Sequence, residues 1–131
     1  MKKTFYLSKV RNEKISKNFM YKEFASKDGA DKFIINMDII PILQKFRDFV
    51  ETPVPINSAF RTPSWNSKVG GTKKSFHLTG DAFDIPFKNT YKNLDHNIFK
   101  MGDFFNTLKV KGIIKYSWRI SYRLKIICIS C

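Results

Sequence analysis

From Ile39 to Val50 the apolar residues Ile39, Ile42, Leu43, Phe46, Phe49 and Val50 recur at three- and four-residue intervals. That spacing lines them up as one stripe on a helix. Lys45, Arg47 and Asp48 fall on the other side. Asn36 is the expected N-cap, and Pro41 is tolerable only in the first turn, where its missing N–H has no partner to lose. The stripe predicts a core helix that backs the site. A second stripe, Leu94, Ile98, Met101, Phe105 and Leu108, predicts a helix from about Lys92 to Val110, stopped by Gly112. A short helix over Phe19–Ala25, capped by Asn18, would put Met20 and Phe24 on one face and end in Ser26-Lys27-Asp28-Gly29.

Between the two long stripes the period changes. Thr52-Pro53-Val54-Pro55 breaks the first helix, and the prolines force extended geometry on the residues before them. Ile56–Phe60 reads as a short strand that delivers Arg61. A loop or short helix over Ser64–Val69 and a tight turn at Gly70-Gly71 follow. Ala82–Phe87 and Ile113–Ile120 read as further strands. In the first of these, Ala82 and Asp84 share one face while Phe83 and Ile85 take the other. Residues 1–17 read as a basic arm or edge strand. Residues 121–131 form an atypical tail without the polar alternation of a surface strand, expected to pack poorly or to be mobile. This order predicts one α+β domain: a small, mostly antiparallel sheet flanked by two principal helices.

Length and composition narrow the class. The chain has 131 residues, 43% of them apolar, enough for a single packed core rather than a disordered segment. No apolar run approaches the ~18 residues of a membrane span. MKKTFYLSKVRNEK opens like a signal sequence, but no apolar h-region follows, so the expectation is a chain cytoplasmic as synthesised, reaching other compartments by release such as lysis. The net charge of +13 suits anionic partners: nucleic acid, anionic membrane or anionic wall polymers. No arginine-rich stripe or recognition-helix pattern supports nucleic-acid binding, and none is expected. Cys128 and Cys131 form a C-x-x-C pair without the βαβ context of a redox motif or a second ligand pair for a zinc knuckle. They read as two thiols in a tail. The chain is expected to be monomeric.

The chemistry concentrates between Ile56 and Ile85. His77 and Asp84 are seven positions apart, too far for one helical face and suited to a loop running into a strand, with Gly80 allowing the turn. An imidazole and a carboxylate converging this way suit zinc, although by residue type alone such a pair is more often hydrogen-bonded. The wider pattern is more specific. Ser75-Phe76-His77-Leu78-Thr79-Gly80-Asp81-Ala82-Phe83-Asp84 resembles the Ser-x-His-x-x-Gly-x-Ala-x-Asp signature of the M15 zinc peptidases, which include D-alanyl-D-alanine carboxypeptidases, dipeptidases and phage wall-lytic endopeptidases. Ser58-Ala59-Phe60-Arg61-Thr62-Pro63 is similar to that family's Ser-Gly-Tyr-Arg-Ser-Pro. Asn66 and Val69-Gly70-Gly71 are similar to its Asn-x-x-Val-Gly-Gly. The resemblance runs from about Phe19 to about Trp118.

The resemblance implies the M15 (hedgehog and D-alanyl-D-alanine peptidase-like) fold and a zinc-dependent murein peptidase acting on peptidoglycan stem peptides. His77 and Asp84 would be two zinc ligands. Arg61 would be the catalytic cation that binds substrate or oxyanion, and Ser75 would contact substrate or cap the loop. Asp81 reads as a solvated loop residue and His96 as an exposed helix residue. The family's third ligand, a His in a His-x-Asp segment on a late strand, is not where Tyr116-Ser117-Trp118-Arg119 leads: Ile120-Ser121-Tyr122-Arg123-Leu124 has neither a histidine nor a carboxylate. Catalytic impairment is therefore expected, with a non-catalytic wall-binding domain as the alternative. A frameshift is expected to underlie the departure, the alternative being a genuine family member without its third ligand. If Ser121 to Leu124 are encoded TCA TAT CGA TTA, a shift of one base reads CAT ATC GAT, or His-Ile-Asp.

Overall fold

The computed structural model describes residues 1–86, 91–94, 100, 103–104 and 106–107, and the backbone of 123–127. The chain is α+β. Among the described residues the strands pair antiparallel, in three separate two-stranded units rather than one sheet.

Of the arm or edge strand expected over residues 1–17, the structure shows the edge strand. Strand β1 (Lys2–Tyr6) leads into helix α1 (Leu7–Val10) and strand β2 (Lys14–Ser16). The predicted helix over Phe19–Ala25 is replaced by strand β3 (Phe19–Met20), paired with β2, and a 3₁₀ turn over Tyr21–Phe24. Asn18 does not cap it. Its carbonyl accepts from Gln44 Nε2 at 2.8 Å, and the Glu23 carboxylate takes the Met20 N–H at 2.7 Å instead. Side-chain burial overrides the local helical pattern here, since Phe19 and Phe24 both enter the core.

Strand β4 (Lys32–Asn36) pairs with β1 in the register Lys2↔Asn36 through Tyr6↔Lys32. Asn36 is thus the last residue of a strand, not an N-cap. Asp38 precedes helix α2 (Ile39–Val50), and Pro41 falls in the first turn. The predicted stripe is the buried face: Ile39, Ile42, Leu43, Phe46 and Val50 are in the core with Ile40, while Phe49 packs at its margin. Each fully buried side chain of this size contributes about 1.5–3 kcal/mol. Glu51 ends the helix in the left-handed region (φ 48°), its N–H bonded to Arg47 O at 3.1 Å, and Pro53 prevents continuation.

Ile56–Phe60 makes a single β-bridge, Ser58↔Asp84, rather than a strand. Helix α3 (Pro63–Lys68) follows, then a 3₁₀ turn over Phe76–Thr79 and strand β5 (Ala82–Pro86). Phe83 and Ile85 pack in the core, as the strand parity predicts. Lys92–Leu94 is a turn, with Asn93 at φ 63°, so the second long helix does not begin at Lys92; the described residues between 100 and 107 are helical. Phe104 from that segment stacks on Phe49 with centroids 5.1 Å apart. Strand β6 (Arg123–Ile127) pairs antiparallel with β5, placing Lys125 opposite Asp84 in the register. This part of the tail is therefore paired backbone, not loose chain. The predicted strand Ile113–Ile120 lies outside the described residues. No described helix is long and apolar enough to cross a membrane.

Candidate active site

Three segments meet at one point: the end of the bridge segment with Arg61, the 3₁₀ turn with His77, and β5 with Asp84. Backbone bonds fix their relation. Arg61 N–H donates to His77 O at 3.0 Å, and Asp84 N–H to Ser58 O at 2.7 Å. Gly80 permits the turn between His77 and Asp84. Its φ is +75°, and a Cβ there would also collide with the Ile34 carbonyl.

His77 is wholly buried, and its Nδ1 lies 2.6 Å from Ala59 O. A carbonyl only accepts, so Nδ1 carries a proton, and with one ring proton Nε2 presents a lone pair. That lone pair lies 3.3 Å from Asp84 Oδ2. The contact is close, and with one ring proton on Nδ1 both atoms are acceptors. Among the described residues, His77 Nε2 and Asp84 Oδ1 are buried without a hydrogen-bond partner. Two facing acceptors in a buried place are costly unless a proton or a cation lies between them. The spacing fits one. Tetrahedral bonds of about 2 Å put neighbouring ligand atoms roughly 3.3 Å apart.

Arg61 borders the same place. Its Nη2 lies 3.5 Å from Asp84 Oδ2, its Nε donates to Ser58 Oγ at 3.0 Å, and its Nη1 to Asn66 Oδ1 at 3.4 Å. The cation is thus held in a fixed orientation beside the carboxylate. Asn66 is buried and its side-chain Nδ2 donates to Thr72 O at 2.9 Å, so it ties Arg61 to the loop before the His77 turn. Gly71 makes this possible, because a Cβ there would collide with Asn66 Oδ1. Thr62, next to Arg61, caps α3 by accepting from Trp65 N–H at 3.2 Å and donates to Asp28. That bond, more than any other contact, holds the Asp28 carboxyl below its usual range.

The structure brings Arg61, His77 and Asp84 together. Ser75 caps the turn: its Oγ accepts from His77 N–H at 3.3 Å. Asp81 is not a solvated loop residue. It is buried and accepts from Asn36 Nδ2 at 2.9 Å and Thr79 Oγ1 at 2.7 Å. The approach of Asn36 at the end of β4 is what buries it. Among the described residues no three His, Cys, Asp or Glu side chains converge as a metal group. His96, Cys128 and Cys131 lie outside the described residues. An open depression of about 360 Å³, lined by Pro63, Asn66, Ser67, Gly71, Lys73 and Leu78, adjoins the site.

A buried imidazole and carboxylate with facing lone pairs, beside an anchored arginine, define a candidate hydrolase centre. The chain matches the family Peptidase M15 over residues 14–117 and belongs to it. Comparison with curated proteins and with solved structures gave no match.

Proposed function

We propose that this chain is a zinc-dependent murein peptidase of the D-alanyl-D-alanine carboxypeptidase type, acting on peptidoglycan stem peptides. The observation that carries the reading is the pair of buried acceptors, His77 Nε2 and Asp84 Oδ2, 3.3 Å apart. Membership of the Peptidase M15 family supports the reaction class.

His77 and Asp84 would hold the zinc. When bound, the ion supplies Lewis acidity, polarising a scissile carbonyl and making water a better nucleophile near neutral pH. The residues of the chain do the rest. Ala59 O fixes the tautomer that leaves Nε2 free to ligate. Arg61, steadied by Ser58 and Asn66, offers its guanidinium to a substrate carboxylate or a developing oxyanion. Ser75 keeps the turn in place, and its own O–H proton is there to donate to a substrate carbonyl. We read the protein as made in the cytoplasm, monomeric, and reaching the wall on release.

A second reading is favoured by one observation: among the described residues there is no third ligand and no general base beside the pair. On that reading the chain is a wall-binding domain without a metal centre. One experiment separates the two. Zinc is measured after dialysis, and peptides ending in D-alanyl-D-alanine are offered as substrates. The expected result is weakly held zinc and slow turnover, abolished by a chelator and by His77→Ala. Murein binding with no turnover at any zinc concentration would establish the second reading instead.

A further inference from the structure

The family match begins at residue 14, so β1 lies outside it. Yet β1 reaches the signature turn. Lys2 Nζ lies 2.7 Å from Asp81 Oδ2. The same carboxylate takes Asn36 Nδ2 on its other oxygen at 2.9 Å and Thr79 Oγ1 at 2.7 Å. Asn36 adds a backbone bond, its N–H donating to Gly80 O at 2.9 Å. Lys2 and Asn36 are cross-strand partners in the β1–β4 register. One pair of residues therefore grips both Gly80 and Asp81, the residues that link the His77 turn to the strand of Asp84.

We propose that β1 is a positioning strap for the candidate site: Lys2 and Asn36, acting through Asp81, fix the turn that sets His77 against Asp84. Its purpose rests on the zinc-peptidase reading; its existence does not. A buried carboxylate is stable as an anion only when donors surround it, and here three donors converge from β1, β4 and the turn itself. Removing the lysine charge weakens the grip where β1 meets the turn and leaves the α2 core untouched, since the Lys2 side chain is 44% exposed and sits outside the core cluster. Asp81 acts through its neighbours, so it is a positioning residue.

The test is amide hydrogen exchange on the full chain carrying Lys2→Met, Lys2→Arg or Asp81→Asn. Zinc is then titrated into each while the His77 ring signals are followed. Leu78, Asp81 and Arg61 donate the backbone bonds that close on the turn. Lys2→Met and Asp81→Asn should speed exchange at these three amides by about tenfold, a local opening, while Phe46 and the rest of α2 keep their protection. Lys2→Arg should behave as the parent. Zinc affinity at His77 should fall severalfold in Lys2→Met, less than the roughly tenfold that loss of a direct outer partner of a metal ligand costs, because Lys2 acts one residue further out through Asp81. Equal loss of protection in α2, or no change at the turn, overturns the strap. If the parent His77 does not respond to zinc at all, the metal reading fails, and the exchange data still decide the strap.

Discussion

His77 Nε2 and Asp84 Oδ2 stand 3.3 Å apart as two acceptors, because the ring proton lies on Nδ1 against Ala59 O. That relationship makes a specific demand. Either a proton or a cation must sit between them, and each alternative has a different signature.

Zinc should shift the His77 ring signals and leave Nδ1 protonated. Asp84→Asn should weaken zinc binding by at least roughly tenfold, since losing even an outer partner of a ligand costs that much. Titration of parent and variant, followed by ring nitrogen spectra, checks this. Zinc affinity unchanged in Asp84→Asn would remove Asp84 from the ligand set.

Gly71→Ala should disturb Arg61 without touching it. The added Cβ displaces the Asn66 side chain, which then loses Arg61 Nη1 and Thr72 O. The expected loss is about 1–3 kcal/mol of stability, the cost of orphaning buried polar groups. Asn66→Ala should shift the Arg61 Nε signal in the same way. Denaturant unfolding and side-chain spectra read the two effects separately.

Tyr91 should give the fold an alkaline limit. Burial pushes its hydroxyl from 10.0 up to about 12. The folded value is raised, so the stabilisation is complete below pH 10 and is lost as pH rises from there towards 12. Tyr91→Phe should flatten this limb while costing about 1 kcal/mol at neutral pH for the bond to Pro86 O. Unfolding midpoints of parent and variant across pH 8–12 measure the difference.

The gene should read His-Ile-Asp in the shifted frame near codon 121. The family match covers residues 14–117, and the sequence resemblance fails just beyond it. Nucleotide sequencing through and past this point decides. A shifted frame with no histidine, or an immediate stop, leaves a family member that lacks this ligand segment.

The sequence by itself determined the α2 stripe, the order of Arg61, His77 and Asp84, and the parity that turns Phe83 and Ile85 inward. These are local facts: a repeat of three and four, a period of two, a glycine where the backbone must turn. It also marked Asn66 and Gly71 as a pair, though not why; the reason is steric and needs both atoms in place. Tertiary structure alone decided the rest. Asn36 reads as a cap because asparagine favours that position; its Oδ1 does accept from Asp38 N–H at 3.1 Å, but the residue ends β4 and its Nδ2 goes to Asp81, 45 positions away in sequence. Phe19–Phe24 has a helical pattern that pairing with β2 overrides. Residues 1–17 read as a basic arm or edge strand, and only the pairing with β4 selects the strand. In each case a partner distant along the chain supplies more free energy than the local preference, and such partners meet only when the chain folds.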